Sequence, residues 1–184
     1  MKRLIAFVLL IVFVLSFTAC GGEQVESDIP EGFLLAENKG ADYLFYYPET
    51  WLLDRHDAGM TSAYVSETDY SNVSVTAFTA SLEYPDLVSY VENYYFKQFE
   101  DNFQNLTVEK NQDGSLKRSV LKIDGCDAVA VNYTAAFGGE NYAFRAWFVS
   151  YNGYIYTVLY TAKEAAFDAN LELATKIAEY IRFN

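Results

Sequence analysis

The sequence predicts an α+β fold in which helices cover both faces of an antiparallel β-sheet. Strand-like segments separated by turn signals fill residues 105–161, and helical apolar periods occupy 85–104 and 163–182. In the two central strand segments, 142–149 and 154–161, both faces carry apolar side chains. A sheet without a water-facing side needs a cover on each face, and the two amphipathic helices supply one each.

The first strands are expected where short β-prone runs lie between turn residues. Asn38-Lys39-Gly40 reads as a turn, and Pro48 ends the aromatic run that precedes it. Between Val73 and Phe78 the residues alternate with the period of two that is typical of a strand. The strands expected in this half of the chain are 33–37, 42–47, 62–68 and 72–80.

Two helices follow from apolar residues that recur with helical spacing. The first is expected over 85–104, with Pro85 in its first turn and Asp86 complementing the helix dipole. Its apolar face consists of Leu87, Val91, Tyr95, Phe99 and Phe103. The apolar stripe of the closing helix, 163–182, consists of Phe167, Leu171, Ala174, Ala178 and Ile181.

Turn dipeptides divide the segment between the helices into antiparallel strands. Asp113-Gly114 between two β-like runs is a strong hairpin signal. Further turns are expected at 124–125, 138–139 and 152–153. The strands expected here are 107–111, 117–123, 126–137, 142–151 and 154–161.

The N-terminus has the pattern of an export signal that ends in a cysteine. Lys2 and Arg3 precede the apolar run Leu4 to Phe17, which is too short to span a bilayer as a helix, and small residues lead to Cys20. This pattern resembles the signal peptide of a bacterial lipoprotein, which implies cleavage after residue 19 and a lipid on Cys20. The alternatives are an uncleaved signal anchor and a plainly secreted protein.

The domain organisation follows from this leader. After the signal peptide, 1–19, residues 20–32 are polar and acidic and are expected to form a flexible tether of about 20 Å reach. Residues 33–184 form one domain. The expected location is the extracytoplasmic face of the cell membrane, with the lipid on Cys20 as the anchor.

The acidic composition restricts the partners. The chain of 184 residues has 13 basic and 25 acidic residues, and removal of Lys2 and Arg3 with the leader changes its net charge from −12 to −14. A nucleic-acid partner would need a basic stripe, which is absent from the sequence. Anionic lipid headgroups repel the domain, so the lipid is the expected membrane contact.

The two cysteines leave no intrachain disulfide if Cys20 carries a lipid. Cys126 then has no partner. A free cysteine usually behaves as a small buried hydrophobe, and this is the expectation for Cys126.

Three short motifs along the chain occur together in one known family. In the run from Tyr43 to Trp51, an aromatic strand ends in Tyr47-Pro48, and Trp51 follows after two further residues. The other two motifs are Ile123-Asp124-Gly125 and the aromatic ending Ile181-Arg182-Phe183. They resemble the aromatic entry, the internal turn and the C-terminus of PsbP-like proteins, whose best-known member is an extrinsic subunit of photosystem II. The resemblance covers about 33–184. It implies an antiparallel sheet with helices on both sides and a non-catalytic accessory domain beside a membrane complex.

The sequence indicates no catalytic residues, metal site or cofactor. His56, the one histidine, lies between charged residues and is expected to be a solvated loop residue. A zinc site is not expected from one histidine and one free cysteine. Oxygen ligands for calcium are plentiful near predicted turns, but no calcium-binding loop motif appears. These acidic residues are Glu67, Asp69, Asp113, Asp124 and Asp127.

The aromatic content gives the one hint of a ligand site. There are 16 tyrosines and 14 phenylalanines, and exposed aromatic rings favour protein or carbohydrate binding. Arg145 and Trp147 share a strand face and mark a pocket or a buried ion pair. With Tyr46 and Trp51 they are the candidate ligand-binding residues; the alternative is that the aromatic residues fill the core.

These observations favour a non-enzymatic binding or accessory domain, tethered beside a membrane protein partner. The runner-up is a lipoprotein that binds a small molecule or glycan in an aromatic cleft. A hydrolase is the third hypothesis. The sequence does not specify an oligomeric state.

Overall fold

The computed structural model describes residues 29–57, 59–79, 84, 86–99 and 103–184. The leader, Cys20 and the tether up to residue 28 lie outside the described residues. The strands are β1 (Phe33–Ala36), β2 (Tyr43–Pro48), β3 (Leu52–Asp57), β4 (Met60–Ser66), β5 (Asp69–Thr79), β6 (Gln104–Val108), β7 (Arg118–Ile123), β8 (Cys126–Phe137), β9 (Glu140–Tyr151), β10 (Tyr154–Lys163) and β11 (Arg182–Phe183). The helices are α1 (Leu87–Tyr90) and α2 (Phe167–Tyr180).

Two helical turns extend α1, and one precedes α2. A π-helical turn (Val91–Tyr95) and a 3₁₀ turn (Phe96–Gln98) follow α1, and we call residues 87–98 the α1 segment. A 3₁₀ turn (Glu164–Ala166) leads into α2. None of the described helices is long and apolar enough to cross a membrane.

The strands form an eight-stranded and a three-stranded antiparallel sheet. The large sheet has the order β3-β4-β5-β10-β9-β8-β6, and β7 also pairs with β8. The small sheet has the order β1-β2-β11. β8 pairs with β7 over Cys126–Val131 and with β6 over Tyr133–Ala136, so one long strand carries both.

Alternation along the central strands divides the interior into two cores, one on each face of the large sheet. The first core contains Trp147 and Val149 and lies under α2 and the small sheet. The second core contains Phe144 and Phe148 and lies under the α1 segment, where the ring centroids of Tyr95 and Phe148 are 4.6 Å apart. The predicted α+β class, with helices on both faces of an antiparallel sheet, is confirmed.

The hairpin expected at 112–115 forms, but it pairs only the residues next to its turn, 109–111 with 115–117. Lys110 and Leu116 make an isolated bridge, and the backbone N–H of Asn111 donates to the carbonyl of Ser115 at 2.8 Å. The strands on either side pair with β8 and not with each other. The reason is the length of β8, which offers hydrogen-bonding groups to β6 and β7 in succession.

The first predicted helix is shorter and less regular than its periodicity suggests. It begins after Asp86, whose side chain accepts from the N–H of Ser89 at 2.8 Å as the N-cap. Pro85 lies outside the described residues. The wider π-helical turn places both Tyr95 and Phe96 against the sheet, as their burial shows. Packing of two adjacent aromatic rings therefore overrides the regular helical period in this segment.

The sequence prediction missed two strands, β3 and β11. β3 contains four polar residues in a row, Asp54 to Asp57, and forms an edge of the large sheet, so it has no alternating pattern. His56 lies in this strand and is exposed, which corrects its assignment to a loop. The closing helix was expected to end at Arg182, but this residue belongs to β11, which pairs with β2.

Candidate functional site

The four residues predicted to bind a ligand do not form one site. Tyr46 in β2 is 2% exposed, and Trp51, which follows the turn after β2, is 4% exposed in the first core. Arg145 and Trp147 lie two residues apart on one face of β9. The structure therefore brings Arg145 and Trp147 together, places Trp51 in the same core as Trp147, and places Tyr46 in neither core cluster.

Arg145 is held by an aromatic ring and an amide. Its guanidinium carbon lies 5.2 Å from the centre of the Trp147 ring, within the range of a cation–π interaction. Its Nη1 donates to Oδ1 of Asn132 at 3.1 Å, on the neighbouring strand. No ion pair to Arg145 occurs among the described residues. The sequence left a buried ion pair open as one interpretation of Arg145. The described residues show a cation–π interaction with Trp147 instead.

Burial leaves polar atoms of this pair without partners. Arg145 Nε and Trp147 Nε1 have no hydrogen-bond partner in the described part of the chain. Burial lowers the pKa of Arg145, and the charge of Glu109 opposes that change. Arg145 and Trp147 are also absent from the lining of the described cavities. Trp147 belongs to the first core, and Arg145 lies partly buried beside it.

A cleft of about 590 Å³ opens where β5 begins and β10 ends, and we call it the strand-end cleft. Its volume lies within the range of small-molecule sites. Because β5 and β10 are antiparallel, the first residues of one lie beside the last residues of the other. The lining residues are Thr68, Asp69, Tyr70, Ser71, Asn72, Tyr142, Thr161, Ala162, Lys163 and Ala166.

Strand alternation places two tyrosines on opposite sides of this cleft. Asn72 pairs with Thr161, and Lys163 pairs with Tyr142, on the sheet face that carries the second core. Tyr70 precedes Asn72 by two residues, so its side chain lies on this face too. The α1 segment covers β8 and β9 and leaves the β5 side open, where Tyr70 is 72% exposed.

Both tyrosines are supported by a second aromatic ring. Tyr70 stacks on Tyr64 of β4, with ring centroids 6.0 Å apart and an interplanar angle of 19°. Tyr142 is half-buried, and its ring lies 6.3 Å from that of Phe144. The cleft therefore has preoriented aromatic walls, which lowers the entropic cost of binding against them.

Asp69 and Lys163 are the charged residues of the lining. Oδ1 of Asp69 accepts from the N–H of Ser71 at 3.0 Å and from its hydroxyl at 2.6 Å. The Oδ2 atom receives a longer hydrogen bond, 3.4 Å, from Asn170 of α2. Lys163 pairs with Glu140 at 3.2 Å between two exposed side chains. The carboxylate is thus fixed at the start of β5, and the ammonium is engaged at the rim.

The surroundings of the cleft are acidic. Glu140 and Glu164 line a shallower depression that shares Lys163 with the cleft. Tyr160 lies behind the cleft and donates its hydroxyl hydrogen to the carbonyl of Phe167 at 2.9 Å. Burial, and after it the charges of Asp69 and Asp168, raise the pKa of Tyr160 to about 12. Acidic side chains therefore outnumber Lys163 at this end of the sheet.

The acidic residues considered as calcium ligands lie in separate places. Asp113 accepts from Ser115, Asp124 lies 3.8 Å from Arg182, and Asp127 pairs with Lys122 at 2.8 Å. Among the described residues, no group of three or more His, Cys, Asp or Glu is arranged to hold a metal ion.

Cys126 packs against the first core but is only partly buried. Burial, followed by the charge of Asp124, raises the pKa of its thiol. The thiol is therefore protonated at neutral pH and is a poor nucleophile.

Sequence reasoning missed the strand-end cleft. The sequence pattern indicates Asp69 only as an oxygen ligand near a turn and does not distinguish Tyr70 and Tyr142 from the other tyrosines. The available signal was the Asp69-x-Ser71 spacing at the start of a strand, which resembles an Asx turn. That β5 and β10 meet at this point depends on strand order, which the sequence does not reveal.

Comparison with solved structures shows which fold this is. Cyanobacterial PsbP from Synechocystis sp. PCC 6803 aligns with a TM-score of 0.59 at 15% identity, over 92% of this chain and 99% of the cyanobacterial one. No family model matches the chain, and no curated protein matches its sequence. The fold is PsbP-like, as the motif resemblance implied.

Two other solved structures share this fold. A Pseudomonas aeruginosa protein of unknown function, PA94, described as a putative regulator, aligns with a TM-score of 0.55 at 14% identity, over 80% of this chain and 94% of its own. LpqN, involved in cell envelope biogenesis of Mycobacterium tuberculosis, aligns with a TM-score of 0.50 at 12% identity, over 77% of this chain and 83% of its own. At these identities the likeness concerns the fold alone.

Proposed function

We propose that this chain is a lipid-anchored, extracytoplasmic accessory domain that binds a membrane protein complex and catalyses no reaction. The observation that carries the proposal is the PsbP-like fold over 92% of the chain, found together with an N-terminal sequence, 1–19, that resembles a lipoprotein signal peptide and precedes Cys20. The alignment covers 99% of the cyanobacterial neighbour, which supports a single domain over the aligned part of this chain. LpqN, a neighbour involved in envelope biogenesis, supports an envelope location.

The membrane attachment follows from the lipid and not from the domain surface. The net charge after removal of residues 1–19 is −14, from 11 basic and 25 acidic residues, so anionic headgroups repel the folded part. A diacylglycerol on Cys20 supplies two acyl chains, which hold a protein stably where one chain binds only marginally. The tether then keeps the domain within about 20 Å of the bilayer, where a membrane-embedded partner is accessible.

Labelling and fractionation test the anchor. Radioactive palmitate is expected to label the wild-type protein and the Cys126→Ser variant, while Cys20→Ser loses both the label and the membrane fraction. Cys126→Ser is the matched control because it removes the other thiol of the chain. An unlabelled wild-type protein would contradict the lipoprotein assignment.

In-cell crosslinking tests the accessory role. The lipidated chain is expected to crosslink to one recurrent membrane protein, at a yield that saturates as the chain is overexpressed. The yield should fall when Cys20→Ser releases the chain. A chain that crosslinks to no membrane protein, or that turns over ester or peptide substrates in purified form, contradicts the proposal.

A further inference from the structure

We infer that the open face of the large sheet along β5 binds a neutral, extended oligosaccharide. The site is a row of five side chains on that face, which we call the β5 track: Tyr70, Asn72, Ser74, Thr76 and Phe78. This inference goes beyond the proposed accessory function and needs no protein partner. It depends on where the row lies, on its composition and on its free hydrogen-bonding groups.

Strand pairing places the β5 track on the face of the large sheet that carries the second core. The residues between, Val73 and Val75, are buried in the first core on the other face. The ring of Tyr70 stacks on Tyr64, which pairs with Asn72, so Tyr70 lies on the track face too. The α1 segment packs on β8 and β9, away from this row. The residues of β10 that pair with the track are Thr161, Leu159, Thr157 and Ile155.

The β5 track has no charged residue, although 21% of the residues of the chain are charged. Charged side chains are mostly exposed, so an open sheet face is where they are expected. Aromatic residues without charges are typical of a binding surface, but the core of a protein–protein interface is also depleted in serine. Asn72, Ser74 and Thr76 form the centre of the track. This composition fits a ligand rich in hydroxyl groups better than a protein partner.

The centre of the track has free hydrogen-bonding groups. The hydroxyls of Ser74 and Thr76 have no partner in the part of the chain that the structure describes. Asn72 donates its Nδ2 hydrogen to the carbonyl of Tyr70 at 3.0 Å, which leaves its Oδ1 as an acceptor. Thr157, which pairs with Thr76, is 3% exposed, and its Oγ1 has no partner within the described ranges. Hydroxyls both donate and accept, so this row can bond the hydroxyls of a sugar chain along its length.

An exposed aromatic ring lies at each end of the β5 track. Tyr70 is 72% exposed and Phe78 49% exposed, and eight residue steps of about 3.3 Å separate them by about 26 Å. The C–H face of a sugar ring packs against an aromatic ring while its hydroxyls remain free for polar side chains. Stacking on Tyr64 fixes Tyr70 in place, which lowers the entropic cost of binding. The strand-end cleft of about 590 Å³ adjoins this end, because Tyr70, Asn72 and Thr161 also line it.

The charged side chains beside the track lie at its margins, which favours a neutral ligand. Lys163 lies at the Tyr70 end and pairs with Glu140 at 3.2 Å. Arg55 lies on the exposed edge strand β3. The net charge of −12 repels acidic polysaccharides. A β-1,4-linked chain is an extended ribbon that can follow a strand, whereas an α-1,4-linked chain coils, so a β-1,4-linked ligand is expected.

Isothermal titration calorimetry tests this assignment on the full chain in a sugar-free neutral detergent. The probes are cellohexaose and chitohexaose, compared with cellobiose, chitobiose, maltohexaose and hexagalacturonate. At least one of the two β-1,4-linked hexasaccharides is expected to bind, about tenfold or more tighter than its disaccharide, because a disaccharide reaches only one aromatic end. Maltohexaose and the anionic hexagalacturonate are expected to bind more weakly than that hexasaccharide.

Three variants change the track itself. Tyr70→Ala and Phe78→Ala are each expected to weaken hexasaccharide binding about twofold to tenfold, because each removes one aromatic contact. Ser74→Lys places a long side chain across the middle of the track and is expected to weaken binding about tenfold or more.

Two matched controls lie on the other face of the large sheet. Tyr154→Ala removes an exposed tyrosine two residues before Tyr156 of the first core. Ser119→Lys adds the same long side chain at an exposed strand serine, which pairs with Ala130 of the first core. Both controls are expected to bind like wild type, and thermal melting confirms that all five variants are folded.

Several results would overturn the inference. No binding of either β-1,4-linked hexasaccharide at millimolar concentration excludes the site. Equal affinity for a hexasaccharide and its disaccharide, or equal weakening by Ser74→Lys and Ser119→Lys, excludes the track as the place of binding. Binding of maltohexaose or hexagalacturonate at least as tight as that of the β-1,4-linked chains contradicts an extended, neutral ligand.

The crosslinking test of the accessory function has an independent outcome. A chain that crosslinks to a membrane protein but binds no hexasaccharide contradicts this inference alone. A chain that binds a hexasaccharide through the track but crosslinks to no membrane protein contradicts the accessory function alone. Loss of the crosslink in Tyr70→Ala without any glycan binding identifies the track as a protein interface and overturns the inference.

Discussion

Asp124 accepts a hydrogen bond from the backbone N–H of Phe183 at 2.8 Å, across 59 residues of sequence. Asp124 lies in the turn between β7 and β8 with a φ of +49°, and Phe183 belongs to the last strand. The ring of Phe183 stacks on Tyr151 with centroids 4.7 Å apart. One turn residue thus fastens the C-terminus to the edge of the first core.

This relationship predicts different effects for two substitutions of Asp124. Asp124→Asn keeps an acceptor and a residue that tolerates positive φ, so we expect a loss of less than about 0.5 kcal/mol in the free energy of unfolding. Asp124→Ala loses both and is expected to cost about 2 kcal/mol. Urea denaturation measures the difference. Asp127→Ala, which removes only an exposed pair with Lys122, is the control, and an equal cost there would contradict the assignment.

The turn at Asn152-Gly153 predicts a backbone effect without any steric contact. The φ values of +47° and +79° are those of a type I′ hairpin turn. A Cβ at Gly153 would meet no atom within 4 Å, so the cost of Gly153→Ala, about 1 kcal/mol, comes from the positive φ alone. Gly59→Ala is the matched control because Gly59 has no positive φ and ordinary contact distances. Thermal unfolding of the two variants should show a lower melting temperature for Gly153→Ala only.

The sequence specified those parts of the fold that depend on local pattern. The limits of β8, Cys126–Phe137, were predictable from its strand-like residues and from the turn residues on either side. The turn at Asn152-Gly153 was predictable because Asn-Gly is typical of a two-residue hairpin turn. β3 was missed because an edge strand with Asp54 to Asp57 exposed has no core-facing period. β11 was missed because its pairing with β2 joins residues about 140 positions apart, which no local pattern encodes.

The candidate site was harder to predict than the fold, for a physical reason. Trp51 and Trp147 have the residue type of a binding site, but large aromatic side chains also bury the most apolar area, and both lie in the first core. Tyr70 and Tyr142 are distinguished only by their position beside an uncovered part of the sheet. That position depends on which strands the α1 segment covers, which is a tertiary property.

The buried pair of Tyr95 and Tyr133 predicts a loss of stability in base. Their hydroxyl oxygens lie 3.0 Å apart in the second core, and burial raises the pKa of Tyr95 to about 12. In the unfolded chain tyrosine ionises near pH 10. A raised pKa in the folded state means that folding favours protonated Tyr95. The contribution of Tyr95 to the free energy of unfolding is therefore fully present below about pH 10 and is lost as the pH rises through about 12. A shift of this size corresponds to about 2–3 kcal/mol for Tyr95.

Tyr95→Phe tests the source of this pH dependence. At pH 7 the variant is expected to lose about 1–2 kcal/mol, because Tyr133 is left without its hydroxyl partner. Between pH 10 and 12 its unfolding free energy should fall less steeply than that of wild type. Urea denaturation at a series of pH values measures both effects, with Tyr154→Phe as an exposed control. Parallel curves for wild type and Tyr95→Phe would exclude Tyr95 as the titrating group.

The last prediction concerns Arg145 and Trp147, which share a buried interaction but are expected to differ in their contribution to stability. Burial of a guanidinium without a carboxylate costs solvation energy, which the ring of Trp147 and the amide of Asn132 offset only in part. Arg145→Met keeps the length and apolar stem, so its effect on the unfolding free energy is expected to lie within about 1 kcal/mol of zero. Trp147→Ala leaves a cavity at a residue of 0% exposure and should cost about 3–5 kcal/mol. Denaturant titration of both variants, with Asn132→Ala to measure the amide alone, tests the contrast. A loss above about 2 kcal/mol in Arg145→Met would mean that the cation itself stabilises the first core, because the methionine keeps the packing and removes only the charge.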